Sequence, residues 1–484
     1  MDSKIRTFLD IEKKYHLFDK EIWNIKYWVY AREEVWGGFL KSYQKSKETE
    51  KEKSSVHGRK SLGISICTLR KVIASFLSHC KLKEVDILIL NHPRKVLNDN
   101  KYICLYTEYI ARNYTSKLIL ERPFHGMHFY PTETKNLIYT DISKITGVVR
   151  FFLQKKFYKR NMQLMYAVLG SQLKDALQEM TKIFSKECDE KELIYGIIWR
   201  IFQIQSIDTY MRYVIRRVHP KVIIEVVGMA DECRVINSIA KEEGIPTIEL
   251  QHGNVCNNLS YSFGESCPQL PDYFYTYSVF WNTFVQMPST DIIVGGYPYL
   301  EDQVNKYAQC RKQYLFDMDR KIRVLILSQG KEINDIVKIG YEAYLLLDRN
   351  KYQFVFRLHP GESENWKEEY PYLLNEDIEI TFSKKISLYE SLATCDIQVG
   401  VDSTALFEGL IFNIYTLIYC REEKEQMKKL VDKGYAIGFV SSEDLAYWIT
   451  NYSFANRQER SDSNFFWEKD ALRKMCTQIN SLLN

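Results

Sequence analysis

The chain has 484 residues, 66 Lys and Arg against 62 Asp and Glu, and is 45% hydrophobic. That length suits two or three domains, and the ordinary apolar and charged fractions exclude disorder, collagen and a continuous coiled coil. A formal net charge of +4 argues against a dedicated nucleic-acid binder, so no nucleic-acid partner is expected.

The 11 cysteines are irregularly spaced and include no CxxC pair, which excludes a zinc ribbon and a thioredoxin-type site and fits reduced thiols in the cytosol. The N-terminal stretch MDSKIRTFLDIEKKYHLFDK is charged throughout, so it lacks the apolar core of a signal peptide. No apolar run reaches the roughly 18 residues of a spanning helix. A cytoplasmic location follows, with any membrane contact peripheral.

In chain order, residues 1–45 read as helical and aromatic, with Trp23, Trp28 and Trp36, and the polar run Lys41 to Lys53 reads as a solvated loop. EVDILILNHP, a helical stretch at 103–112 and KLILERP give strand, helix, strand, the opening of an α/β sheet. Residues 150–217 are helix-forming. Within them the basic, aromatic stretch VVRFFLQKKFYKR reads either as a surface helix packed on its own domain or as a patch for anionic lipid. HPKVIIEVVG, DECRVINSIAKEEG and IPTIELQHG form a second strand–helix–strand unit, with Gly244 closing the helix. DYFYTYSVF and DIIVGGYP complete the first half. A charged helical linker, Glu301 to Lys321, follows, and the alternation restarts at KIRVLILSQG.

The expected fold class is therefore α/β, two doubly wound Rossmann-like domains facing a cleft, with an N-terminal helical extension. The expected boundaries are 1–80 for the extension, 81–300 for the N-terminal α/β domain and 321–484 for the C-terminal one.

Ligands of open α/β sheets sit at the carboxyl ends of the strands, and the chemistry-bearing loops of the second half fall there. They are Gln329-Gly330, His359-Pro360-Gly361 and Asp402-Ser403-Thr404. In VGVDSTALFEGLIFN, Asp402 or Ser403 can cap the following helix, whose start favours a phosphate through its oriented N–H groups and its dipole. Ser403 and Thr404 add hydroxyl donors. Glu408 lies one turn beyond Thr404, where it either holds a ribose diol or forms part of the helix wall. His359 ends an apolar strand and can donate to phosphate, and Arg357 alternates with it on the same strand face. In the first half, His252 ends a strand beside Gly253, where an imidazole can serve as general base or bond a neighbouring loop. Asp231 and Glu232, on the turn after VIIEVVG, are competing bases or helix-start residues.

There is no GxxxxGK[ST], no GxGxxG after the first strand and no GxSxG, so P-loop, dehydrogenase and hydrolase-elbow chemistry are disfavoured. Asp317-Met318-Asp319 lies in the charged linker rather than at a strand end, so no metal and no cofactor are expected.

QHG, RLHP and DSTALFEGLIF together, over about residues 220–420, resemble the GT-B glycosyltransferases of bacterial surface polysaccharide synthesis. The pattern is similar to the capsule polysialyltransferases and to the CDP-glycerol glycerophosphotransferases. The resemblance implies a metal-independent transfer of a sugar from a nucleotide-activated donor to a glycan or lipid-linked acceptor. It places the donor phosphate on His359, Ser403 and Thr404, the ribose on Glu408 and a base at His252. The acidic pair of the polysialyltransferase motif would correspond to Asp231 and Glu232, here followed by Cys233 rather than Gly. Three further readings stand beside it: transfer of a polyol phosphate in the same cleft, the hydrolysing sugar-nucleotide 2-epimerases, which share this fold, and a non-catalytic interaction protein.

Overall fold

The structure is a computed structural model that describes residues 3–40, 82–186, 188–317, 319–330, 335–359, 362, 365–374, 377–383, 385–420, 425–453 and 465–483. The polar run that begins at Lys41 lies outside these residues, as do Pro360 and Gly361.

The chain divides into two compact units. One gathers the chain up to Thr276, then Asn282–Gly295 and the C-terminal segment from Leu472; the other holds Tyr277–Trp281 and Gly296–Ala471. The boundaries read from the sequence missed these exchanges. Periodicity marks where an element lies, whereas the choice of core belongs to the packing.

In the first unit, helices α1 (Ser3–Lys14) and α2 (Trp28–Leu40) flank a short hairpin, Glu21–Ile22 with Ile25–Lys26. They are part of this unit and do not form a separate extension. The fully buried Arg32 gives Nε to Glu12 Oε1 and Nη2 to Glu12 Oε2, each at 2.8 Å. It also donates to the carbonyls of Leu259 and Ser262, at 2.8 and 2.9 Å. A buried guanidinium is tolerated only when its donors are met in this way.

Seven parallel strands form the first sheet. They are β1 (Ile87–Leu90), β2 (Lys117–Glu121), β3 (Leu137–Tyr139), β4 (Val222–Val226), β5 (Thr247–Leu250), β6 (Tyr273–Thr276) and β7 (Asp291–Val294), in the order β7-β6-β5-β4-β1-β2-β3. Continuous runs such as ILIL and VIIEV are buried along their whole length, as parallel strands covered on both faces require. The stretch expected to be helical at 103–112 is instead a strand ending at Ile103, then a helix over Glu108–Asn113.

Between β3 and β4 run three helices, α3 (Asp141–Phe157), α4 (Lys159–Phe184) and α5 (Glu190–Val218). Helix α6 (Asp231–Glu243) follows β4 and ends at Gly244, whose φ of 68° is the left-handed stop a glycine supplies.

In the second unit, α7 (Pro298–Phe316) precedes the sheet. Read from sequence as a linker, this helix is built into the unit: its buried Arg311 donates to the carbonyls of Phe412, Ala393 and Cys395. The six-stranded parallel sheet comprises β8 (Ile322–Leu327), β9 (Tyr352–Arg357), β10 (Ile378–Thr381), β11 (Ile397–Gly400), β12 (Tyr415–Tyr419) and β13 (Ile437–Phe439). Their order is β10-β9-β8-β11-β12-β13.

Helices α8 (Leu388–Ala393) and α9 (Thr404–Ile411) flank β11. The last helix, α10 (Ala471–Leu483), sends Met475 and Ile479 into the apolar core of the first sheet, beside Ile224, Leu250 and Tyr275. Both sheets are doubly wound, and strand order reverses between β1 and β4 in one and between β8 and β11 in the other. Those reversals open a crevice at the carboxyl edge of each sheet.

Candidate functional site

In the second unit, Gln329, Gly330, His359, Asp402 and Ser403 collect at the reversal between β8 and β11. Ser403 caps α9: its hydroxyl oxygen accepts from the Ala405 N–H at 3.2 Å, with the extended backbone a cap needs. Asp402, the alternative cap, is occupied otherwise. Its N–H donates to Gln329 Oε1 at 2.8 Å and its Oδ1 accepts from Gln329 Nε2, so the loops after β8 and β11 are clamped together. Gly330 has φ of 91°, and a Cβ there would stand 3.9 Å from His359 Nδ1. A left-handed glycine thus brings the β8 loop against the imidazole at no steric cost.

A residue the sequence reading passed over ties these loops from below. The buried Glu362 accepts from the Ser328 hydroxyl, from the His359 N–H at 2.9 Å and from the Tyr370 hydroxyl at 2.6 Å. The cue was the acidic residue closing RLHPGE. Nothing in the spacing distinguished it from a surface glutamate.

Glu408 is one turn into α9. Its Oε2 is buried and has no hydrogen-bond partner, while the Tyr389 hydroxyl of α8 is bonded to its carboxyl group. Burial pushes the Glu408 carboxyl from 4.5 up to about 7, and the Tyr389 bond pulls only partly the other way. An unmet, desolvated acceptor one turn behind a helix start lacks the donor that a buried carboxylate oxygen ordinarily has. Thr404 is the first residue of the helix.

Arg357 does not join this group. Its Nη1 donates to the Ile386 carbonyl at 2.9 Å, the Ser387 carbonyl at 3.3 Å and the Ser391 hydroxyl at 3.1 Å, and burial draws its guanidinium down to about 10. It holds the start of α8, and so the helix carrying Tyr389. Alternation placed Arg357 on the same face as His359, but the chain leaves the strand at Leu358, before His359, so that parity no longer applies.

In the first unit, His252 follows β5. Its Nδ1 lies 3.2 Å from the Tyr261 hydroxyl, which donates to Glu249 Oε1 at 3.2 Å. With the hydroxyl proton given to Glu249, the Tyr261 oxygen accepts from Nδ1–H, which leaves Nε2 as the imidazole's acceptor. His92 stacks obliquely on His252, ring centroids 5.7 Å apart, and Tyr106 donates to the His252 carbonyl. Burial lowers His252 from 6.5 to about 3, and the neighbouring His92 adds to this. His252 is therefore neutral at physiological pH and takes a proton reluctantly.

Beneath it, Glu249 on β5 faces its register partner Glu225 on β4, and both side chains are buried. Burial raises both carboxyls. Glu225 holds Asn237, and Glu249 accepts from the Gly228 N–H at 2.8 Å. A Cβ at Gly228 would overlap the Glu249 carboxyl group, so glycine leaves that carboxylate room to accept the N–H. Sequence reading missed this pair because both glutamates lie inside apolar strands.

Asp231 and Glu232 open α6 and each meets an arginine: Asp231 is bonded by Arg200 at 3.0 Å, and Glu232 stands 3.4 Å from Arg122. Among the described residues no cluster of His, Cys, Asp and Glu could hold a metal ion.

No protein-family model matches the chain, and no curated protein matches it. Solved structures do. UDP-GlcNAc 2-epimerase from Methanocaldococcus jannaschii is 11% identical, with a TM-score of 0.49 over 82% of this chain and 99% of that one. A UGT transferase from Siraitia grosvenorii in complex with UDP is 11% identical, with a TM-score of 0.45 over 83% of this chain and 100% of that one. Acinetobacter baumannii MurG is 13% identical, with a TM-score of 0.38 over 58% of this chain and 78% of that one.

Proposed function

We propose that the protein is a GT-B-type glycosyltransferase that takes a sugar from a nucleotide-activated donor. One observation carries the reading: the Ser403-capped start of α9, clamped to Gln329 at the sheet's reversal point, has a buried, unpartnered carboxylate oxygen at Glu408 one turn behind it. A helix start favours the diphosphate, and a carboxylate about one turn along suits the two hydroxyls of a ribose. Ser403, Thr404 and His359 supply donors to the phosphates, and Gln329 and Gly330 shape the loop beside them. The acceptor is a surface glycan or a lipid-linked one.

His252 is the residue put forward to take the acceptor's proton. It is better suited to orienting that hydroxyl through Nε2 than to holding a full positive charge. Asp231 and Glu232, both engaged by arginine, are the weaker candidates.

The test is a binding and turnover screen of purified protein against CMP-, CDP-, UDP- and GDP-linked donors, with products read by mass spectrometry. Saturable binding of one donor class, weakened at least tenfold by Ser403→Ala or His359→Ala, is the expected result. Turnover of a CDP-linked polyol alone would replace the sugar reading with a polyol-phosphate transferase. Release of an epimerised free sugar with no acceptor would make the protein a hydrolysing epimerase. Binding of none would remove the enzyme reading.

A further inference from the structure

Helix α3 is amphipathic in the wrong sense for a helix that only covers its own domain. Its inward face is made of small residues and one ring: Ser143 and Gly147 are buried, and Phe151 lies against Trp199 and Phe202 of α5, ring centroids 4.6 and 5.8 Å away. The opposite stripe, Ile145, Val149, Phe152 and Leu153, follows helical spacing and faces solvent. Phe152 is 58% exposed and Leu153 48%. The stripe continues through Phe157 at the end of α3 and Tyr158 at the turn to Leu164 in α4, all three exposed. Large exposed apolar patches of this kind mark an interaction surface.

Charge identifies the partner. From Ile142 to Lys174 the chain has seven basic residues, Lys144, Arg150, Lys155, Lys156, Lys159, Arg160 and Lys174, and no acidic one. The first six are exposed. By helical spacing Lys144 and Lys155 border one edge of the stripe, Arg150 stands beyond the other and Lys156 falls within it, against a whole-chain balance of only +4. The stretch is bounded by two acids, Asp175 at its far end and Asp141, which is engaged by His128 at 3.0 Å. No described helix is long and apolar enough to cross a membrane. An apolar stripe between basic rims, on a helix roughly 25 Å long, is the form of a segment that lies in the plane of a bilayer surface.

We propose that the α3–α4 elbow docks the protein on an anionic lipid bilayer, with Phe152, Leu153 and Phe157 entering the headgroup boundary and the lysines and arginines meeting lipid phosphates. The proposal is independent of the transfer chemistry, since it uses no residue of either crevice.

The experiment is co-sedimentation of the full chain with vesicles of phosphatidylglycerol and phosphatidylcholine, one to two, against pure phosphatidylcholine. Binding to the first, weakened by salt and absent from the second, is expected. Lys155→Gln with Lys156→Gln should weaken the partition by roughly fivefold per residue. Phe152→Ser with Leu153→Ser should weaken it at least about tenfold, with the helical circular-dichroism signal unchanged because these side chains are exposed. Equal binding to both vesicle types, no binding to either, or variants that bind like the parent would overturn the proposal. So would self-association in free solution that the Phe152–Leu153 variant abolishes, which would give the face to a second copy of the chain.

Discussion

Glu408→Gln separates a ligand-binding carboxylate from a helix-wall residue. The folded protein holds the Glu408 proton up to about pH 7, while an unfolded glutamate releases it near 4.5. The folded state therefore binds more protons across that window, and stability falls as pH rises through it. Below the window the group costs nothing. Above it the cost levels off at about 3 kcal/mol, the 4.5-to-7 displacement at 1.36 kcal/mol per unit.

Glutamine keeps an acceptor for the Tyr389 hydroxyl and carries no charge. The variant should match the parent in urea unfolding at about pH 4 and exceed it by about 2–3 kcal/mol at about pH 8. Nucleotide binding should show the reverse preference. Ribose hydroxyls donate to the ionised form, so the parent's affinity should strengthen as pH rises towards about 7, beyond the change the phosphates contribute. The glutamine variant supplies that phosphate-only baseline and should bind about tenfold more weakly at pH 8. Titration calorimetry across this range decides it. Parallel pH profiles in parent and variant, for both unfolding and binding, would refute the assignment of an open carboxylate to Glu408.

Three further outcomes follow from the geometry. Ser403→Ala should lose about 1 kcal/mol with the Ala405 cap and about tenfold in nucleotide affinity, whereas Ser403→Asp should restore the thermal midpoint but not the affinity, because its charge repels phosphate. Gly409→Ala should destabilise by about 1–3 kcal/mol in chemical denaturation despite alanine's better helix propensity. The new methyl would overlap the Gln398 amide, which is pinned to the Leu406 carbonyl and the Thr416 hydroxyl. Tyr261→Phe should lower kcat with little change in donor KM, and the parent's kcat/KM should show no ionisation near pH 6.5 attributable to His252, since burial holds that group at about 3. A pH-rate profile with an acid limb at 6.5 that disappears in His252→Asn would contradict this placement.

Much of the fold was legible in the sequence, because parallel strands buried on both faces leave unbroken apolar runs. ILIL, VIIEV, IRVLIL and YTLIY each became a strand, and Gly244 closed the helix it was expected to close. The Ser403 helix start was legible too, since a cap is a local matter of one hydroxyl and the next turn's N–H.

What the sequence could not decide were relations between distant residues. Helix α7 looked like a linker because its surface is charged, yet Arg311 reaches three carbonyls of α8, β11 and α9 neighbours that lie far along the chain. Glu362 and the Glu225–Glu249 pair gave no signal, since their meaning lies in what crosses from the adjoining strand or loop. Arg357 was misdirected because strand parity ends where the strand ends. The pKa of His252 shows the same division. Residue type fixes an ordinary value near 6.5, and only burial beside His92 and Tyr261, set by tertiary packing, removes the water that would have stabilised its charge.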